Sequence, residues 1–292
     1  FSMAAMGAVD VAFTEAAVGA GVSTVFFIAV IYNTTRTIKF NPLDVGVKVL
    51  AGVIAIVIGF ILLQGIDDFP AWGDAASPVN SGVASYYVEQ ALHDTAVPNI
   101  VTAVLADYRA FDTMFETCVV FVATIGIIGL LRRRIRNVSE HVQPNGSSLV
   151  IRVASRFVVP FIQIFALYVV AHGHHSPGGG FQGGVLLGAS LILLAMGNDM
   201  QTVLSKVSEK WVLVLSALGV VIFAGYGLGS LFFGAPYLDY SALAVLMPGV
   251  DEVMARSHAM LIVEIGVAMT VMCGMIGIYA HLVSDGKLDR GL

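Results

Sequence analysis

The run Val45-Gly46-Val47-Lys48-Val49-Leu50-Ala51-Gly52-Val53-Ile54-Ala55-Ile56-Val57-Ile58-Gly59-Phe60-Ile61-Leu62-Leu63-Gln64-Gly65-Ile66 decides the fold. It carries a single charge, Lys48, and is long enough to cross a bilayer as a helix, which takes about 20 residues. Six further stretches have the same character: Met3–Tyr32, Thr113–Leu131, Leu149–Ala171, Phe181–Gly197, Trp211–Phe233 and Ser257–Leu282. Of the 292 residues, 57% are hydrophobic and 12% charged, against roughly 25% charged in a soluble domain. A chain with a mean hydropathy of +0.86 cannot cover a compact globule with polar surface. The expected fold is an all-α integral membrane protein of about seven transmembrane helices. A net charge of −5 gives no reason to expect nucleic acid as a partner. Cys118 and Cys273 lie inside apolar runs and read as small hydrophobes, not as a disulfide or a metal clip.

The loops alternate in charge. Arg36, Lys39, Lys48, Arg132, Arg133, Arg134, Arg136, Arg152, Arg156, Lys206, Lys210, Lys287 and Arg290 fall on one side, and only Arg109 and Arg256 on the other, a split of 13 to 2. By the positive-inside rule, Tyr32–Asp44, Arg132–Ser148, Asn198–Lys210 and the C-terminus face the cytoplasm. The long segment Asp67–Asp112, the loop before the fifth span and Gly234–Arg256 then face outward. The N-terminus of this sequence is outside, consistent with an odd number of spans. Phe1 already lies in an apolar segment with no basic region before it, so the start is not a signal peptide, and further helices are expected upstream.

The basic linker Arg132–Ser148, ending in the turn-rich Pro144-Asn145-Gly146-Ser147-Ser148, divides the chain into two modules. Three spans and a long acidic outer loop precede it, and four spans with short loops follow. Small residues recur at helical spacing in three spans: Ala8, Ala12, Ala16 and Ala20; Gly180, Gly184 and Gly188; Gly266, Thr270 and Gly274. Such stripes let helix backbones approach closely, and three together predict burial among other helices.

Charged groups near the bilayer centre cost about 2.5–3.5 kcal/mol on insertion scales, so those present are informative. Asp10 and Thr14 share a helix face and Glu15 lies near the middle of its span. These carboxyls read either as steps in an ion or proton path or as structural acids bonded to a neighbouring helix. Lys48 reads as facing Glu15 or Glu116 across the bundle, or as snorkelling to the interface. Glu116 has two readings of equal weight. It belongs to an ion path, or it completes a capping box with Thr113 at the start of the third helix, with Asp112 as the cap. Glu264 lies roughly 10 Å beyond His258 along the seventh span, too deep for a capping role. It reads as an ion-path or inter-helix group. His258 reads as a proton shuttle at the outer mouth or as plain surface.

The stretch Gly173-His174-His175-Ser176-Pro177-Gly178-Gly179-Gly180-Phe181-Gln182-Gly183-Gly184 follows His172. It is a poor zinc site, because no carboxylate or cysteine is near in sequence and a glycine-rich turn would hold ring ligands poorly. Glycine runs permit a chain break at membrane depth where protein or a hydrated cavity surrounds it. The expectation is a broken or re-entrant approach into the fifth helix, beginning near Pro177, with Phe181 as a packing plug and the helix N-terminus directed at negative charge.

These residues resemble a known family. Asp10…Thr14-Glu15-Ala16-Ala17-Val18-Gly19-Ala20-Gly21 is similar to the last helix of a small module near the C-terminus of the large MrpA component of Mrp-type Na+/H+ antiporters. Tyr86-Tyr87…Glu89, Asn99, Leu105, Asp107, Arg109, Phe111-Asp112-Thr113 and Glu116 resemble the module that follows it there. Both occur as separate small subunits in membrane-bound hydrogenases. From about Leu149 onward the chain resembles the MrpB (MnhB) subunit, whose hallmark loop G-H-x-x-P-G-G-G-F-x-x-G stands at Gly173–Gly184, with Glu264 where that family carries an acid in its last helix. The resemblance therefore implies three segments: residues 1–40 as the last helix of an MbhD-like module, 41–140 as an MbhE-like two-helix module with a long outer loop, and 141–292 as a four-helix MrpB-like module. Here the first two modules precede a B-type module, whereas in many systems they are joined to the large subunit.

The resemblance implies a subunit of a multi-subunit monovalent cation/proton antiporter that moves Na+ out and H+ in. It is a transporter subunit and not an enzyme in itself, with no covalently bound cofactor and no resident metal. Its implied partners are the A, C, D, E, F and G subunits within the lipid bilayer of the plasma membrane. The ion path would draw on Glu15, Asp10, Thr14, Lys48, Glu116, His258 and Glu264. Gly173, His174, Pro177, Gly178, Gly179, Gly180 and Phe181 would form a structural loop. Two rivals remain: the same module in a redox-driven, complex-I-like or hydrogenase complex, and a scaffold whose acids only brace helices.

Overall fold

The computed structural model describes residues 1–33, 44–71, 73–131, 149–198 and 208–283. The basic linker with its Pro144–Ser148 hinge, and Arg36, Lys39, Lys206, Lys287 and Arg290, lie outside the described residues. Among those described, seven helices are long and apolar enough to cross a membrane: α1 (Val9–Ile31), α2 (Val45–Asp68), α3 (Ala110–Leu131), α4 (Leu149–Ala171), α5 (Gly180–Gly197), α6 (Glu209–Phe232) and α7 (Glu252–Val283). The chain is an all-helical, multi-pass membrane protein.

Three spans differ from the expected bounds for identifiable reasons. The first begins at Val9, because Gly7 at φ +79° ends a short helix Ser2–Ala5. It is also not a uniform α-helix, since Ala16–Val22, which holds Gly19 and Gly21, is wound as a π-helix. The third begins at Ala110, three residues earlier than expected. The seventh begins at Glu252, where the Asp251 carboxylate accepts from the Met254 amide.

The chain divides into two compact units, residues 1–33 with 90–292, and residues 34–89. The second unit holds α2, which ends in a 3-10 turn at Gly65–Asp68, and a short helix Pro78–Ser81 capped by Ser77. None of the residues Val45–Gln64 is buried. Lys48 lies in the first turn of this helix and is exposed, its amide bonded to the Asp44 carbonyl.

In the first unit α7 is the central helix, packing against α6, α5 and α3. Glycine makes this closeness possible. A methyl group on Gly180, Gly184 or Gly188 of α5 would run into Glu264, Ala268 or Met275 of α7, and one on Gly219 of α6 would strike the Gly266 carbonyl and the Thr270 hydroxyl. Gly274 of α7 meets Thr124 of α3 in the same way. The α6–α7 seam is fixed further by a hydrogen bond of 2.9 Å from the Thr270 hydroxyl to the Ser216 carbonyl. Two of the three small-residue stripes are thus helix seams. The alanine stripe of α1 is not: Ala8 and Ala12 are half-buried, and Ala16 and Ala20 are exposed. Neither cysteine is in a disulfide, and Cys273 is buried in the α6–α7 core.

Candidate functional site

The site is built around the break between α4 and α5. Helix α4 ends at Ala171, and the chain turns through residues 172–179 before α5 starts at Gly180. Gly178 (φ +158°) and Gly179 (φ +140°) hold backbone conformations that disfavour a side chain. There is no room for one either. A methyl group on Gly178 would press on the Val169 carbonyl, and one on Gly179 on the Glu264 carboxylate. The triple glycine therefore brings backbone directly onto an acid. Helix α5 starts three residues later than Pro177, because only after the two positive-φ glycines does the chain point along the bundle.

Polar groups from three segments hold this loop. Asp10 is buried, and its Oδ1 accepts from the Gly178 amide at 3.0 Å and from Asn99 Nδ2 at 3.4 Å. Asn99 Nδ2 also donates to the carbonyls of Gly173 (3.0 Å) and Ser176 (3.1 Å), and the Asn99 amide donates to the His174 carbonyl. The Thr102 hydroxyl donates to the Gly173 carbonyl at 2.8 Å. Gln182 Nε2 donates to the Thr14 hydroxyl at 2.9 Å, and that hydroxyl donates in turn to the Asp10 carbonyl. Asp10 and Thr14 thus join the loop to α1. Asn99 is placed by its own helix, since its side chain caps Ile100–Ala103.

Glu264 lies beneath the loop, 8% exposed. The Gly180 amide bonds its carboxylate, so the N-terminus of α5 faces a negative group. The other oxygen, Oε2, has no hydrogen-bond partner and lies 3.9 Å from His174 Nε2, which also has none. Burial, and then the neighbouring His175 and His258, hold the His174 ring below its usual value, so it is neutral at neutral pH.

From Glu264 a cavity of about 280 Å³ runs past Thr14, Gln182, Phe181 and Phe223 to Glu116. Glu116 itself is exposed, so the cavity joins an exposed carboxylate to a buried one. The capping-box reading of Glu116 does not hold. With α3 starting at Ala110, Glu116 is in its second turn, Thr113 donates to the Leu105 carbonyl, and Asp112 pairs with Arg109. Phe181 is half-buried and lines the cavity.

The other residues singled out in the sequence lie apart from this cavity. Glu15 is exposed on α1, with its carboxylate folded over Gly19. His258 is exposed within α7 and bears on the site only through its effect on His174. Lys48 belongs to the second unit. Sequence reasoning missed Thr102 and Gln182, and it noted Asn99 only through the resemblance. A Pro-Asn step before an apolar turn is a capping signal that could have drawn attention to Asn99. Outside the cavity, Arg256 clasps Asp107 and stacks over the Tyr108 ring at 5.6 Å.

Fold and site together define a polytopic membrane protein with a polar, acid-lined interior. Residues 150–277 match the family described as "Domain related to MnhB subunit of Na+/H+ antiporter". Residues 43–147 match the MbhE family and residues 1–36 the MbhD family, described as the E and D subunits of MBH. The B subunit of the Na+/H+ antiporter of Bacillus subtilis (strain 168) is 31% identical over 130 residues, 43% of this chain and 90% of that one. This chain belongs to the MnhB family of antiporter subunits. A probable K+/H+ antiporter A/B subunit of Rhizobium meliloti (strain 1021) is 26% identical over 200 residues, 60% of this chain. The structure of an Mrp complex from Dietzia sp. DQ12-45-1b aligns with 99% of this chain at a TM-score of 0.73 and 26% identity. A chain of the membrane-bound sulfane sulfur reductase, an archaeal respiratory membrane complex, aligns with 81% of it at a TM-score of 0.63 and 26% identity, over 97% of its own length. This chain spans 20% of the Rhizobium protein and 31% of the matched Mrp-complex chain.

Proposed function

We propose that this chain is a subunit of a multi-subunit monovalent cation/proton antiporter of the plasma membrane, and that Glu264 and Glu116 form part of its ion path. The observation that carries the reading is the cavity lined by both exposed Glu116 and buried Glu264, the latter 3.9 Å from His174. A carboxylate with one oxygen held by a helix N-terminus and the other unpaired can take up a proton or a cation and release it again. Neutral His174 offers a proton acceptor, or, with a rotated ring or a bridging water, a relay. Thr14 and Gln182 supply oxygens for a partly dehydrated Na+.

Glu15 and Glu116 support a multi-subunit assembly. Both are exposed on this chain within spanning helices. Hydrocarbon against them would cost several kcal/mol, so these faces lie against other Mrp-type subunits. The uneven distribution of basic residues supports an orientation with the glycine loop outside and the C-terminus cytoplasmic. The three sequence segments 1–40, 41–140 and 141–292 are proposed as the inherited modules.

The test is exchange in everted vesicles containing the assembled complex. Addition of Na+ or K+ is expected to release accumulated protons. Glu264→Gln, which keeps an acceptor for the Gly180 amide, is expected to lower exchange by roughly 100-fold while the complex assembles normally. Exchange at the wild-type rate removes Glu264 from the path, and intact exchange after neutralising Glu15, Glu116 and Glu264 together leaves the scaffold reading.

The similarity to the sulfane sulfur reductase chain favours one second reading, the same module coupled to a redox complex. Copurification with iron–sulfur subunits would support it, and exchange by a complex lacking them would rule it out.

A further inference from the structure

A second carboxylate–imidazole pair lies at the other end of α7 from the glycine loop. Glu209, in the first turn of α6, and His281, in the last turn of α7, are 7% and 1% exposed. His281 lies 17 residues beyond Glu264 on the same helix, roughly 25 Å along its axis at 1.5 Å per residue. The pair takes no part in the cavity or the loop.

The chemistry of the two side chains fixes what the pair must hold. His281 Nδ1 lies 2.8 Å from the Gly277 carbonyl oxygen. A carbonyl only accepts, so Nδ1 carries the hydrogen and Nε2 is the ring atom left with a lone pair. Nε2 faces Glu209 Oε1 at 3.3 Å, and neither it nor either Glu209 oxygen has a hydrogen-bond partner. Without a further proton the contact sets a lone pair against a carboxylate in a buried setting, which is costly on both sides. One proton between Nε2 and Oε1 turns it into a charge-assisted hydrogen bond.

Among the described residues, the surroundings leave that proton to these two groups. One turn before His281, a methyl group on Gly277 would touch Val212 of α6 and Thr124 and Ile128 of α3, none of them ionisable. Lys210 beside Glu209 is exposed, and Tyr279 on α7 is buried. Among the described residues, Glu209 is the ionisable group within ion-pair range of His281.

We propose that Glu209 and His281 form a binding site for one exchangeable proton at the end of the bundle opposite the glycine loop. Its use in transport, as the station that senses proton concentration on that face, rests on the antiporter reading. The site itself does not.

Two measurements on the assembled complex test the two levels separately. In infrared difference spectra between acidic and alkaline buffer, the wild-type complex is expected to show paired carboxyl and imidazole bands. They disappear in Glu209→Gln, whose amide donates to Nε2 without a proton, and in His281→Gln. Bands that persist unchanged in both variants overturn the site. In vesicles, exchange by Glu209→Gln is expected to lose its dependence on pH at the α7 C-terminal face, with a fall of at least about tenfold at the wild-type optimum. A variant that assembles, loses the bands and keeps the wild-type pH profile overturns the transport role but keeps the site. Loss of the bands in a complex whose wild type shows no exchange counts against the antiporter reading alone. If Glu209→Gln does not assemble, the double variant Glu209→Gln/His281→Gln, whose amides can bond one another, takes its place with the same outcomes.

Discussion

His174 Nε2 and Glu264 Oε2 stand 3.9 Å apart, both buried and neither hydrogen-bonded. The gap is too long for a direct hydrogen bond, and a small shift or one water would close it. The separation joins the two features that set this sequence apart, the histidine–glycine loop and the acid of the last helix. His174 reaches Glu264 because Asn99, Thr102 and Asp10 pin the loop over α7, and because Gly178–Gly180 leave no side chains between.

The pH response of the loop follows from this placement. Burial lowers the folded-state value of His174 below the ordinary 6.5, so the unfolded loop binds a proton more readily than the folded one. Stability from the docked loop is therefore complete above about pH 6.5 and is lost as pH falls through the lower, folded-state value. Hydrogen exchange at the amides of Gly178–Gly180, corrected for the intrinsic rate, is expected to lose protection as the solution is acidified over that range. His174→Gln should flatten the dependence. Protection that weakens instead as pH rises would show the opposite sign and refute the assignment.

Much of the fold was legible because a bilayer constrains sequence so heavily. Apolar runs such as Val45–Ile66 leave little choice but a spanning helix. The glycine loop was legible too, since three consecutive glycines after Pro177 have few uses at membrane depth. The hidden parts depend on long-range contacts. The capping-box pattern at Thr113–Glu116 was a plausible local signal, but Arg109 and Leu105 take up Asp112 and Thr113 and move the helix start upstream. The π-helical stretch at Ala16–Val22 follows no periodicity that hydropathy records. Glu209 and His281 look like ordinary polar ends of their spans, and only the convergence of α6 and α7 buries them together.

The α5–α7 crossing sets a second expectation. Gly180 packs against the Glu264 backbone, so Gly180→Ala forces rigid main chain apart and is expected to cost about 3 kcal/mol. The loss should appear as a lower midpoint in thermal unfolding of the complex and as lower exchange, because Glu264 is displaced with it. Gly225→Ala on α6 has open space around the added methyl and serves as the control. Equal midpoints for the two variants would contradict the close approach of α5 and α7.

Asp10 and Glu15, five residues apart on α1, are expected to fail in different ways. Asp10 accepts from the Gly178 amide and from Asn99, so Asp10→Ala leaves a buried donor without its partner and should destabilise the docked loop by about 1–3 kcal/mol. Asp10→Asn keeps an acceptor for Gly178 and should restore most of that loss while exchange is retained, and retained exchange is what a role as an obligatory proton carrier would not allow. Glu15 is exposed, with its carboxylate over Gly19 of its own helix, so Glu15→Gln should leave the stability of this chain within about 0.5 kcal/mol of wild type. If the exposed face of α1 lies against a neighbouring subunit and Glu15 lines a path there, the same variant should still lower exchange strongly in vesicles with normal assembly. Measuring amide protection in the loop and exchange for all three variants separates the roles. Full exchange in Glu15→Gln removes Glu15 from the path, and loss of loop protection in that variant would mean that Glu15 supports the loop through contacts absent from this structure.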